Sequence, residues 1–220
     1  MLFRSVGCGG SGKSTLVKIL TGLYSISDGG YMLDGNPTKE LSRGQLKKKI
    51  AVVLQDFIDY HFSLKENVVI SGQRKNVDTQ LYKKVSKIAQ IDDFKKSVHL
   101  EDSSLVGKTF ASGKELSPGY WQRLAISRML YRNKQIFIMD EPFTYIDDVS
   151  AEKILDSTLK FLGKERSLIY ITRSVRLLRK FDRIYYLDKG RIVESGNLEE
   201  LSKNKGRLYK EFLLQDESGK

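Results

Sequence analysis

The sequence predicts an α/β protein with a parallel sheet and crossover helices, and three observations carry that prediction. A complete G-x-x-x-x-G-K-[ST] loop, Gly7-Cys8-Gly9-Gly10-Ser11-Gly12-Lys13-Ser14, lies close to the start of the chain. Apolar runs of strand length recur at 50–54, 136–139, 168–171 and 184–187. The stretches between them carry apolar residues at helical spacing.

The glycines of the first loop let the chain curl tightly enough to aim several backbone N–H groups at one anion. Leu16, Ile19 and Leu20 follow at helical spacing, so the loop opens onto a helix whose dipole also favours negative charge. Residues 30–35 read as a short strand ending in a turn, and 50–54 as a buried strand. From 63 to 133 the pattern is helical, with Leu81, Val85, Ile88 and Ala89 on one face and Leu124, Ile126, Met129 and Leu130 later. A strand returns at 136–139, then a helix bearing Ala151, Ile154, Leu155, Leu159 and Leu162, then strands at 168–171 and 184–187. A hairpin around Gly190 and a lysine-rich helix close the chain. The expected organisation is a core of 1–62 and 134–220, with 63–133 as an inserted helical subdomain.

Composition narrows the function. With 220 residues, 40% of them hydrophobic, the chain has material for a real core, and its apolar runs are far too short to span a bilayer. Cys8 is the single cysteine, which excludes an internal disulfide and agrees with a reducing cytosol. The net charge of +11 comes from dispersed lysines, in short clusters such as 47–49, 83–84 and 95–96 without interleaved aromatics. That pattern is a solvated basic face rather than a nucleic-acid groove.

Two motifs carry chemistry. Lys13 points a charge toward the outer phosphates of a nucleotide, and Ser14 offers a hydroxyl to Mg²⁺. The run Ile136-Phe137-Ile138-Met139 ends in Asp140-Glu141, a buried strand delivering two carboxylates to a phosphate site. Asp140 suits Mg²⁺, and Glu141 suits orienting or deprotonating an attacking water.

Between them, Glu115-Leu116-Ser117-Pro118-Gly119-Tyr120-Trp121-Gln122-Arg123 leads into the helix before the acidic strand. Here the chain resembles the nucleotide-binding domain of ATP-binding cassette (ABC) transporters, over nearly its whole length. Gln55 looks like the Q-loop, 116–120 like the L-S-G-G-Q signature and Asp147 like the D-loop, while Arg173 sits where a switch histidine is expected. Residues 107–115 and 188–196 look more like exporter than importer domains. The resemblance implies a P-loop, RecA-like core with an inserted helical subdomain, and two such domains sandwiching two ATP molecules with Mg²⁺. On that reading Gly7, Gly9, Gly10, Ser11, Gly12, Lys13, Ser14 and Thr15 hold the phosphates, and Ser117 and Gly119 reach the ATP of the partner domain. Ser14, Gln55 and Asp140 hold the metal, and Glu141, Lys13, Gln55 and Arg173 serve catalysis. The partners are a second nucleotide-binding domain, identical or not, and a transmembrane domain on the same precursor or another subunit. Such a domain works in the cytoplasm at the membrane face and drives export.

The chain departs from the family pattern in four places. Pro118 and Tyr120 replace a glycine and the glutamine of the signature, and proline lacks the N–H that would approach the partner's γ-phosphate. Ser117 is expected to cap the following helix, with Pro118 at its first position. Arg173 could clamp ATP without aiding water attack, or lie elsewhere on the surface. Only six residues precede Gly7, so the family's N-terminal antiparallel strands and their adenine-stacking aromatic are expected to be largely missing, at about 1–3 kcal/mol of stacking. Arg4 is unusual for a buried strand. Phe143-Thr144-Tyr145-Ile146 before Asp147 is bulkier than usual. Cys8 lies where a thiol pKa falls, or is an inert small residue. His61 and His99 read as ordinary surface or packing residues. An ATP-gated clamp with negligible turnover stays open beside the transporter ATPase.

Overall fold

The computed structural model describes residues 2–6, 10–72, 77–172 and 177–210. Its elements run β1 (Leu2–Val6), α1 (Lys13–Leu20), β2 (Met32–Leu33), β3 (Asn36–Pro37), α2 (Arg43–Lys49), β4 (Ile50–Val53), α3 (Leu64–Val69), α4 (Thr79–Ile88) and α5 (Ile91–Ser97). They continue with α6 (Pro118–Tyr131), β5 (Ile136–Asp140), α7 (Asp148–Leu162), β6 (Ser167–Ile171), β7 (Arg183–Asp188), β8 (Arg191–Gly196) and α8 (Leu198–Asn204). The chain forms two units, one of 1–52, 135–141 and 164–220, the other of 53–134 and 142–163.

The first unit holds a six-stranded sheet of order β4-β5-β6-β1-β7-β8. The pairs β5–β6, β6–β1 and β1–β7 are parallel, as strands joined by helical crossovers must be, and the β7–β8 hairpin is antiparallel. Phe137, Ile138 and Met139 of β5 are fully buried, so this strand reads as a continuous apolar run, as parallel strands covered on both faces do. Tyr170 and Phe181 stack at 5.1 Å. The α8 helix opens with a reciprocal cap between Asn197 and Glu200, and buries Leu201 with Leu178, Ile184, Tyr186 and Leu208. The turn expected at the end of 30–35 is present at Asp34-Gly35, both at positive φ, and it joins the two-residue strands β2 and β3.

The second unit is helical, with α6 packed against α3, α4 and α5, and α4 also against α7. Val68, Val85, Ala89, Ile126, Leu130, Ile154 and Leu155 fill its centre at zero exposure. Residues 98–117 are not helical, unlike their surroundings in the expected 63–133 stretch. They run as an irregular loop with isolated bridges from Ser63 to Leu105 and from Val106 to Lys114. Gly107 explains part of this, at φ +89° beneath the His61 ring, where a Cβ would lie 2.2 Å from a ring carbon. His61 also stacks on Trp121 at 6.1 Å and hydrogen-bonds Thr109, a packing role as expected.

Arg128 of α6 fastens the segment after β4. Its Nε and Nη2 donate to the Asn67 carbonyl and Oδ1 at 2.8 and 3.1 Å, its Nη1 donates to the Ile58 carbonyl at 3.0 Å, and its guanidinium lies 4.5 Å from the Tyr60 ring centre. Asn67 is itself fully buried and donates to the Tyr60 and Ser63 carbonyls at 2.8 and 3.1 Å. Arg128→Met strands the carbonyl and Oδ1 of the buried Asn67 and releases the exposed Ile58 carbonyl, so urea unfolding should show a loss of about 1–3 kcal/mol, and the amides of 58–62 should exchange faster.

Candidate functional site

The glycine loop follows directly from β1, an interior strand of the sheet. Gly7, Cys8 and Gly9 lie outside the described residues. Gly10 and Gly12 take φ +77° and +98°, conformations an L side chain resists, and Gly12 is the N-cap of α1. Among the described residues no side-chain cap hydrogen bond is made at that end and the first turn holds no acidic residue, an arrangement that suits an anion at the helix N-terminus. Lys13 is buried at 6% exposure with its Nζ 3.0 Å from Ser11 Oγ, and Ser14 and Thr15 are exposed on the first turn.

The acidic pair reaches the same edge of the sheet. In the parallel register Asp140 stands level with Ile171 and Ile171 with Ser5, so β5 ends where β1 runs out toward the loop. Asp140 is 3% exposed. Glu141 leaves the strand at φ +45°, a strained conformation for a side-chain-bearing residue, while its N–H still donates to the Ile171 carbonyl at 2.9 Å. Thr172 follows, buried, and Arg173 lies outside the described residues.

The second unit carries the other predicted residues. Gln55 is exposed, two residues past β4. Pro118 is the first residue of α6, as expected, and Ser117 is its N-cap. The Ser117 hydroxyl makes no capping bond, which corrects the expectation that it caps the helix with its side chain, and it is exposed instead. A Cβ on Gly119 would lie 2.6 Å from the Tyr145 carbonyl oxygen.

Three residues that sequence reasoning passed over hold this region together. Gln122, 2% exposed, accepts from the Tyr145 N–H at 2.9 Å. Arg123 lies 3.9 Å from Asp147, over the Tyr120 ring, and donates to Gln90 Oε1. Phe94 stacks on Tyr120 with ring centres 3.4 Å apart. Asp147 caps α7 by accepting from the Ser150 N–H at 2.9 Å, and the Ser150 backbone and side-chain hydrogen bonds hold its carboxyl below the usual range. The sequence signal was available: Gln122 and Arg123 follow the signature on the same helix.

The family model described as ABC transporter matches residues 5–144. The chain belongs to the ABC transporter family. Among curated relatives of this ABC domain, the subtilin transport ATP-binding protein SpaT of Bacillus subtilis is 35% identical over 94% of the chain and 33% of its own length. The ABC multidrug transporter MDR2 of Trichophyton rubrum is 34% identical over 96% of the chain and 16% of its own. The heterocyst differentiation ATP-binding protein HepA of a Nostoc species is 31% identical over 97% and 34%. A solved bacterial Atm1-family ABC exporter with ATP bound superposes at a TM-score of 0.87 and 27% identity, over 97% of the chain and 36% of that structure. The chain therefore spans about a third or less of the length of these relatives, and the exporter-like character of the ABC domain agrees with the Atm1-family exporter. Among the described residues no helix is long and apolar enough to cross a membrane.

The approach of Gly119 to a backbone oxygen yields a test. Alanine gains about 1 kcal/mol in helix propensity, but a methyl at 2.6 Å from a main-chain oxygen must push α6 off the 143–147 segment. Gly119→Ala should therefore lower stability by about 1–3 kcal/mol in urea unfolding.

Proposed function

We propose that this domain binds and hydrolyses ATP and, paired with a second nucleotide-binding domain, drives export through partner transmembrane segments at the cytoplasmic face of a membrane. The observation that carries the reading is the register that brings Asp140-Glu141 to the sheet edge where β1 enters the glycine loop. The relatives' names, transport ATP-binding protein and multidrug transporter, support the transport half.

In this reading the loop amides of Gly7, Gly9, Gly10, Ser11 and Gly12 cradle the phosphates, with Thr15 beside them, and Lys13 neutralises their charge. The donor set fits Mg²⁺: Asp140 offers a carboxylate and Ser14 a hydroxyl, hard oxygens of the kind that ion takes beside phosphates, with Gln55 as a third oxygen. Bound there, the ion would neutralise charge developing on the transferred phosphoryl group. Glu141 accepts the proton of the attacking water. Ser117 and Gly119 reach the nucleotide of the second domain, on the inserted subdomain 63–133 whose movement Gln55 couples. Arg173 clamps the γ-phosphate in the ground state and slows turnover.

Steady-state phosphate release tests the enzyme. Glu141→Gln should lower it about 10²–10⁴-fold while ATP still binds, the magnitude of a lost general base; equal rates for both forms would refute the assignment. Arg173→His should raise turnover in the assembled transporter, and an unchanged rate would remove the clamp from the account.

A further inference from the structure

The turn between β7 and β8 touches the glycine loop, and no step of the proposed chemistry uses it. The Gly190 N–H donates to the Ser11 carbonyl at 3.0 Å, and a Cβ on Gly12 would lie 3.4 Å from Gly190 Cα. Lys189 and Gly190 take φ +47° and +77°, the two left-handed residues of a tight hairpin turn whose twist matches its strands. A loop that aims its amides at an anion turns carbonyls away from it, and those carbonyls need donors of their own. Gly190 supplies one.

The far side of the turn is tied to the chain's later segment. Asp188, the last residue of β7, accepts from the Arg207 guanidinium. Glu194 of β8 accepts from the Arg207 N–H and from the Leu208 N–H, the latter at 3.4 Å. Gly206 sits so close to Glu194 that a Cβ would lie 2.6 Å from its carboxylate. Leu208 is fully buried against Ile184 and Tyr186 of β7. Contacts thus run without a break from Arg207 through Asp188 and the turn to Ser11.

We propose that the β7–β8 turn is a strut holding the phosphate loop in its anion-binding form, and that Arg207 is a positioning residue which sets it through Asp188. This rests on the reading that the loop binds nucleotide phosphates. The Asp188 and Arg207 side chains are 29% and 59% exposed, so solvent screens the pair and the effect is a graded change of affinity rather than its loss.

The test titrates the 220-residue chain with a fluorescent N-methylanthraniloyl ADP and Mg²⁺. Arg207→Met and Asp188→Asn should each weaken binding about three- to tenfold, with the double variant no weaker than either, as for two residues acting through one contact. Arg207→Lys should restore most of the affinity, and Lys203→Met, which breaks only the surface pair with Glu199, should leave it unchanged. By reciprocity ADP should slow exchange of the Arg207 and Leu208 amides in the parent chain and not in Asp188→Asn. Wild-type affinity in both single variants, or exchange at 207 and 208 indifferent to ADP, would overturn the strut. If Arg207→Met lowers the melting temperature, Asp188→Asn decides, since it leaves the Glu194 contacts in place. A parent chain that binds no ADP at all would instead refute the phosphate-loop reading, and the strut with it.

Discussion

The parallel pairing of β6 with both β1 and β5 is the constraint on which the candidate site depends. Each strand advances about 3.3 Å per residue, so a register slip of one residue would move Asp140 by that distance and reverse the face each β5 side chain presents. Phe137, Ile138 and Met139, all at zero exposure, make such a slip costly, because every face of β5 is committed to the core. The carboxylates are thus positioned by apolar burial several residues away. Glu141 completes the arrangement at positive φ, held by its N–H to Ile171, a conformation that turns the chain out of the ladder immediately after Asp140.

A different device organises the helical unit. There the residues that matter are polar groups buried against main-chain atoms: Gln122 on Tyr145, Arg128 on Asn67 and Ile58, and Asn67 on Tyr60 and Ser63. Each satisfies the backbone of an irregular segment that has no ladder of its own. The segment after β4 and the segment before α7 are therefore ordered by α6, the helix that begins at the signature, and that helix cannot shift without breaking the Arg128 and Gln122 hydrogen bonds together.

The fold was legible where local chemistry and global pattern agree. Strand-length apolar runs located β4, β5, β6 and β7, the glycine at 190 marked the hairpin, and Pro118 marked the start of α6. The motif residues Lys13, Asp140 and Glu141 could be named because their types and spacing suit one chemistry. What escaped were long-range polar contacts: Arg128 carries no mark in the sequence that distinguishes it from a surface residue, since its main partners are backbone atoms of a distant segment, and for Gln122 and Arg123 the sequence showed only that they follow the signature, not the Tyr145 N–H, Asp147 and Gln90 they meet. The loop at 98–117 was missed for the converse reason. Its glycines at 107 and 113 break helical spacing locally, but the His61 ring that covers Gly107 is 46 positions earlier in the chain.

The signature region shows how a departure from a family pattern can be neutral for folding and still change chemistry. The first N–H of a helix has no acceptor within it, so proline at the first position of α6 removes nothing the helix uses. The Tyr120 and Trp121 N–H groups both turn back to the Ser117 carbonyl, at 2.9 and 3.2 Å, and are spent inside the first turn. Tyr120's ring is likewise taken up by Phe94. What this helix end can present outward is therefore reduced to the exposed Ser117 hydroxyl, which makes no capping bond, and the N–H of Gly119. Gly119 in turn lies against the Tyr145 carbonyl, which leaves no room for a side chain. The bulky 143–147 segment and the altered signature are thus one structural unit, and a change in either is felt at the two donors that remain.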